Sequence, residues 1–423
     1  MLALIAYSTT KGDPRWYDLV ANNILNHGVV SDDTAPPFVP TLYRPPLYMA
    51  FMALVRLVAG QSVLVLQLVQ CLIGVTGVAI LASAVATFSK RHGRWALWAL
   101  ALTPFDAVYC GAMLSETLVT FFLISGISAP LLLRGWWRWP LSGVLLGLAA
   151  LTRDVYMLMI PCFAVTASLV ALRGQPITRR LVVVAAVTLG GVMTIAPWTA
   201  RNYSVAHAIV PISRSSFAHS LYLGTWVRDL SHMAPGAEVG EPADFPAFAW
   251  KLPGEYELYE KWSWHKPNDP AERDRVYMGM FKRRVAADPG GVALAWIRRS
   301  TIVWMNTSRF DLFPFRPALL ARGAPLYYVA KVLLFGINVA GVILGMAGVV
   351  LCIWKRERRL LWFALPVLYT LAVLTPLGVV EPRYTQPIYS FLLVMACLTA
   401  RHAVVLWRRR ARRSLRSARV QPV

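Results

Sequence analysis

The sequence predicts an all-α polytopic membrane protein, and three observations carry that prediction. Of the 423 residues, 57% are hydrophobic and the mean hydropathy is +0.51, above the roughly half-apolar usage of a soluble domain. Apolar runs of about twenty residues recur along the chain, each long enough at about 1.5 Å per residue to cross a hydrocarbon core about 30 Å thick. The charge is also sorted: Lys and Arg (43) outnumber Asp and Glu (21), yet they gather in short segments between the apolar runs.

The elements follow in order. Met1–Thr10 is apolar but too short to span, and it has neither a basic leader nor a small-residue cleavage site. It is expected to be the second half of a first span whose beginning is truncated. Asp13-Pro14-Arg15-Trp16 reads as an N-cap with proline at the first helical position, opening a short amphipathic helix that Gly28 closes. Pro45–Ala59 is a shorter apolar helix suited to the interface. Spans are expected at Ser62–Phe88, Trp95–Gly111, Thr117–Leu133, Leu141–Leu151, Val155–Leu172, Leu181–Trp198, Tyr327–Trp354, Leu360–Pro376 and Thr385–Ala400. With the partial first span this makes about nine or ten transmembrane helices. Leu141–Leu151 is too short to cross alone, which puts Thr152-Arg153-Asp154 at an interface or in a cavity.

The connecting segments alternate in charge. Lys90–Arg94, Arg134–Arg138, Arg173–Arg180, Lys355–Arg359 and the tail from Arg401 are basic, and Glu357 is the only acid among them. The other set holds Asp13, Asp18, Asp32, Asp33, Glu116, Asp154, the long Arg201–Leu326 region and Glu381. The positive-inside rule makes the first set cytoplasmic and the second extracytoplasmic. Four regions follow: 1–200, an N-terminal transmembrane region whose first outer loop is 11–60; 201–326, an extracytoplasmic loop region; 327–400, C-terminal transmembrane helices; and 401–423, a basic cytoplasmic tail lying against anionic headgroups. In 201–326 a helix begins near Asp269-Pro270 and continues into an amphipathic segment from Asp288.

Several function classes are excluded. The net charge of +22 does not indicate nucleic acid, because the basic residues encode topology. Cys71, Cys110, Cys162, Cys352 and Cys397 lie in or beside apolar runs without metal-site or disulfide spacing.

The polar groups that remain gather at the outer face. Asp13 caps a helix, yet its second carboxylate oxygen stays free, and Tyr17 lies one turn on. Tyr43, Arg44 and Tyr48 cluster around the rigid Pro45-Pro46. An Arg there runs against the charge rule and favours an anion-binding role. Ser115 and Glu116 open a span, with Asp106 nearby; a Glu at that depth needs a polar cavity. Arg201-Asn202-Tyr203 follows a span end at Pro197-Trp198, and Glu381, Arg383 and Tyr384 sit at the mouth of the last span. Each also has a plain structural reading as a cap, an interfacial aromatic or a self-paired ion. Together they supply guanidinium groups that recognise phosphate and carboxylates that can act as general base.

The ordered set GDPRWYDLVANNI, YRPPLY, SETLVTFF, LTRD, PWTARNY and EPRY resembles the GT-C superfamily of integral-membrane glycosyltransferases. It is most similar to the family 39 group, which includes protein O-mannosyltransferases and lipid A aminoarabinose transferases. The likeness runs from about residue 12 to 400, and the 201–326 region carries little of it. The resemblance implies a GT-C fold and an inverting transfer of a sugar from a polyprenyl monophosphate to a hydroxyl outside the cytoplasm. The acceptor is a glycan, a lipid or a protein, in a bacterial plasma membrane. Asp13 matches the family's candidate general base, and Glu116 a second acidic position that binds acceptor or a metal. Arg201 and Arg383 would hold the donor phosphate or order its surroundings, with Tyr17, Arg44, Tyr48, Arg153, Asn202, Glu381 and Tyr384 completing the substrate site. The resemblance admits a divalent metal ion and no organic cofactor. Arg44-Pro45 departs from relatives that carry an acid or a phosphate-contacting Lys there. A transporter or flippase of lipid-linked sugars would share the topology, but it would show repeated halves and mid-membrane polar groups, which are not seen. A polysaccharide polymerase is the enzymatic alternative.

Overall fold

The computed structural model describes residues 12–214, 217–225, 252–262, 270–305, 325–355, 360–378 and 382–418. The expected partial first span lies outside them. The described residues form helices with no strand among them.

The chain begins with α1 (Gly12–His27), closed by Gly28 at φ 67°, and α2 (Leu47–Ala59). Among the described residues five segments are long and apolar enough to cross a membrane, which makes this an integral membrane protein. They are α3 (Val63–Ala86), a helical stretch over Asp154–Ala171 containing α8, α9 (Ile177–Ala206), α14 (Pro325–Trp354, apolar from Tyr328) and the first part of α16 (Gln386–Ala418). Shorter helices complete the bundle: α4 (Lys90–Leu102), α5 (Pro104–Gly111), α6 (Glu116–Leu132), α7 (Arg138–Thr152), α8 (Met159–Ala171) and α15 (Leu361–Leu374). The other described helices are α10 (Phe217–Gly224), α11 (Glu255–Lys261), α12 (Pro270–Ala287) and α13 (Pro289–Met305); α13 joins the bundle core through Trp304, and Leu221 of α10 packs on Leu374.

Local chemistry explains where helices start and stop. Ser62 and Ser89 cap α3 and α4, their hydroxyls accepting from Val65 N–H and His92 N–H. The single span expected over Trp95–Gly111 is two helices. Thr103 is extended (ψ 119°) because it precedes Pro104, which then starts α5 at its first turn. The short Leu141–Leu151 segment begins earlier, at Arg138, and gains a turn. Arg153 and Asp154 lead through a 3-10 turn, Asp154–Tyr156, into α8. The span expected to end at Trp198 runs on through Pro197 to Ala206, so Arg201 and Asn202 are helical. A proline is tolerated in an apolar helix packed among others. The last helix likewise continues past Ala400 to Ala418.

Helices α7 and α9 approach each other closely. A Cβ on Gly143 would stand 2.0 Å from the Val187 carbonyl oxygen, and one on Gly190 would stand 2.3 Å from that of Pro140. Only glycine allows two backbones this near. A large apolar core runs through α3, α6, α7, α8, α15 and α16, with Leu146, Phe163, Trp362 and Phe391 almost fully buried. A second core under α1 and α2 contains Tyr17, Val20, Tyr48 and Met52. The α10–α12 region has its own: Tyr222, Tyr259 and Tyr277 pack together, and Arg284 donates through Nε and Nη2 to both oxygens of buried Glu255.

The basic segments assigned to one membrane face meet one another. Arg401 Nη1 lies 2.6 Å from His92 Nε2, and Lys355 reaches the His402 ring.

Candidate active site

Five charged side chains converge from five parts of the chain. Asp13 lies in the first turn of α1, where the helix dipole favours an anion. Its carboxylate is expected to cap that helix; instead it binds two guanidinium groups. Oδ1 accepts from Arg44 Nη2 at 2.5 Å and Oδ2 from Arg383 Nη1 at 2.7 Å. Charge-assisted bonds to arginine are stronger than one to a neutral backbone N–H, so the arginines win. Arg44 and Arg383 lie 31 and 370 residues away in sequence.

A second pair adjoins the first. Glu116 opens α6 and is wholly buried; its Oε1 accepts from Arg153 Nη2 at 2.5 Å, and Arg153 Nε donates to Ser115 Oγ at 3.0 Å. Tyr384 connects the pairs, its ring facing the Arg153 guanidinium at 5.0 Å and that of Arg383 at 5.4 Å. Around Arg44 the rings of Trp16, Tyr43 and Tyr17 lie at 5.2, 5.3 and 5.7 Å. These cation–π contacts help hold the guanidinium group in place. Arg44 Nε and Arg153 Nη1 are buried donors with no acceptor among the described residues.

The electrostatics follow from this geometry. Burial raises the Asp13 carboxyl, but Arg383 and then Arg44 outweigh it and hold the group at about 2, below the ordinary 3.8. Burial raises Tyr17 and Tyr43 above the ordinary phenol value, so both hydroxyls stay protonated at neutral pH.

The scaffold that positions these groups is polar and specific. Gln70 Nε2 donates to the carbonyls of Cys110 (2.9 Å) and Ala112 (2.8 Å), and Gln67 Nε2 to that of Gly111 (2.7 Å). They fix the segment that delivers Ser115 and Glu116. Arg201 Nη1 donates to the Thr41 carbonyl at 2.9 Å, and Arg214 N–H to that of Leu42 at 2.8 Å. These bonds anchor the strap that carries Arg44.

The residues expected to form a substrate site therefore divide. Asp13, Tyr17, Arg44, Glu116, Arg153, Arg383 and Tyr384 are brought together. Tyr48 is fully buried behind Tyr17, with ring centroids 4.9 Å apart, and its hydroxyl donates to Gln70; it packs rather than faces a ligand. Asn202 is also buried and donates to the carbonyls of Val210 and Ile212. It and Arg201 brace the site from α9, because the helix continues where a loop is expected. Glu381 lies outside the described residues. Trp16, Tyr43 and Ser115 join the site without having been assigned to it. Asp106 accepts from Gln386 and Ser390, which stand one helical turn apart in TQPIYS, a spacing visible in the sequence.

A metal ion finds no complete ligand set among the described residues of this cluster. Both carboxylates are neutralised by arginines, and among the described residues no group of three His, Cys, Asp or Glu side chains is placed to hold an ion.

No family model and no curated protein matches the chain. Among solved structures, the Archaeoglobus fulgidus oligosaccharyltransferase, determined with Zn and sulfate, is similar over 93% of this chain at 16% identity and TM-score 0.46. The chain spans 46% of that protein's length. ArnT from Cupriavidus metallidurans is similar in its apo state (14% identity, 94% of this chain and 74% of ArnT, TM-score 0.38). Its complex with undecaprenyl phosphate is similar too (14% identity, 92% and 73%, TM-score 0.39). These likenesses are distant, and the reading of the site rests on its side chains.

Proposed function

We propose that this protein is an inverting glycosyltransferase, moving a sugar from a polyprenyl monophosphate to an acceptor hydroxyl outside the cytoplasm. One observation carries the reading: a partly buried carboxylate, Asp13, is set between two arginines, with a third arginine one aromatic ring away. Among the described residues the cluster gathers three guanidinium groups and two carboxylates, and Arg44 and Arg153 keep buried N–H groups that an anion would satisfy. A phosphodiester brings a single negative charge and two free oxygens to such a set.

The chemistry asks little more. The acceptor oxygen attacks the anomeric carbon as the bond from that carbon to the phosphate oxygen breaks. The electron pair leaves with the polyprenyl phosphate, where Arg44, Arg383 and Arg153 stabilise the developing charge. The acceptor proton passes to Asp13. One displacement inverts the centre. A retaining route would want a second free carboxylate as nucleophile, and Glu116 is bound to Arg153. None of these steps is routed through a metal.

The test is a mass comparison of envelope glycolipids and glycoproteins from cells with wild type, a deletion, and Asp13→Asn. Loss of one sugar mass from a defined acceptor in both mutants is expected. Unchanged glycans in the deletion and in a folded Asp13→Asn strain would remove the transferase reading.

A further inference from the structure

Asp13 has two duties that conflict. A general base must offer an oxygen to the acceptor hydroxyl, yet both Asp13 oxygens accept from arginine, and no other side-chain hydrogen bond of Asp13 occurs among the described residues. Held at about 2, the carboxyl is also a weak base. The same arginines are the groups a donor phosphate needs, since a guanidinium group binds carboxylate and phosphate oxygens through the same N–H groups.

We propose that Asp13 is the resident counter-ion of a phosphate site. The donor phosphate displaces it from one or both arginines, and that exchange frees the oxygen that receives the acceptor proton. The inference rests on the glycosyltransferase reading and adds an order to it: donor first, base second.

The geometry assigns the moving part. Arg44 is held by three aromatic rings, and Arg383 lies over Tyr384. The strap before Arg44 is tied to Arg201 and Arg214. The guanidinium groups thus keep their places when their anion changes. Asp13 stands at the start of α1, and its carboxylate is 13% exposed. Once displaced, it loses the nearest positive charge, and its proton affinity rises at the moment the sugar donor is in place. Each arginine is used twice, first to silence the base and then to bind the leaving group.

The experiment is a binding measurement with purified full-length protein in detergent, using a short-chain polyprenyl monophosphate as probe. Melting curves establish that each variant is folded. Asp13→Asn and Asp13→Ala both remove the internal competitor, so both should bind the probe more tightly than wild type, by about tenfold or more, while transferring no sugar. Arg44→Gln and Arg383→Gln should bind it more weakly. If the Asp13 variants bind equally or less well while the arginine variants weaken, the exchange is wrong and the phosphate site stands. If neither wild type nor any folded variant binds the probe, the glycosyltransferase reading falls and the exchange with it.

Discussion

Removing one member of the Glu116–Arg153 pair should cost far more than removing both. Glu116 is wholly buried and Arg153 nearly so, with 2.5 Å between Oε1 and Nη2. Glu116→Ala leaves a buried guanidinium group without its anion, and Arg153→Met leaves a buried carboxylate without its cation. Each should destabilise by about 3–5 kcal/mol. The double variant buries neither charge. It still loses the bond from Arg153 Nε to Ser115, about 1 kcal/mol, and the contact between Arg153 and Tyr384, about 0.5–2 kcal/mol. Its expected cost is therefore about 1.5–3 kcal/mol, well below the sum of the single losses. The assay is unfolding of the purified protein in mixed micelles, followed by tryptophan fluorescence, as a double-mutant cycle. Transfer should stay lost in the double variant although stability recovers, because the site has one guanidinium group fewer. Additive losses would show that the two charges do not meet, and would refute the reasoning.

Gly143→Val should collapse the α7–α9 contact, because the new side chain meets the Val187 carbonyl at 2.0 Å; a loss of about 3 kcal/mol or more is expected in thermal unfolding. Gly279→Ala, a helical site with nothing within 4 Å, is the control and should be neutral or slightly stabilising. The Asp13 clamp predicts a specific acid limb. The folded carboxyl holds its proton less readily than the unfolded one, at about 2 against 3.8, so acid favours the unfolded chain. The clamp's contribution should be fully present above about pH 4 and lost as pH falls towards 2. Melting curves of Asp13→Asn should lack that limb.

How far the sequence reveals the site depends on whether an interaction is local. Asp13 and Arg383 are recognisable in GDPRWY and EPRY, but their pairing spans 370 residues and leaves no local trace. The break at Thr103 was legible, since the residue before Pro104 is driven out of the helical region; the apolar run across it concealed the boundary. Arg201 and Asn202 mislead for a physical reason. Both have the chemistry of an anion site; Asn202 proves buried, with its amide N–H groups on the carbonyls of Val210 and Ile212, whereas half-exposed Arg201 spends Nη1 on the Thr41 carbonyl and Asn202 Oδ1. Tyr48 misleads in the same way, through a hydroxyl committed to Gln70. Charge sorting along the chain anticipates the contact of His92 with Arg401, because topology acts on whole segments rather than on single contacts.

The cluster around Asp13 differs in kind from the ion pair of Arg284 with Glu255. Arg284 uses two N–H groups, Nε and Nη2, on the two oxygens of Glu255. That bidentate arrangement places one guanidinium group on both carboxylate oxygens and suits a pair whose task is to stay closed. Asp13 instead divides its oxygens between two arginines that arrive from opposite ends of the sequence, each through a single Nη. Such an arrangement requires α1, the strap at Thr41–Arg44 and the turn at Pro382–Thr385 to be in place together. It is costly to assemble, and a stabilising role alone would be served better by one bidentate partner. Its geometry suits a second anion with oxygens spaced to reach both guanidinium groups. The buried N–H groups left on Arg44 and Arg153 lie in the same cluster as the bonds such an anion would replace. In the proposed exchange assembly and ligand are linked: the site forms only when Arg44 and Arg383 have both reached Asp13, and it would then hold its own anion until a donor phosphate supplied another.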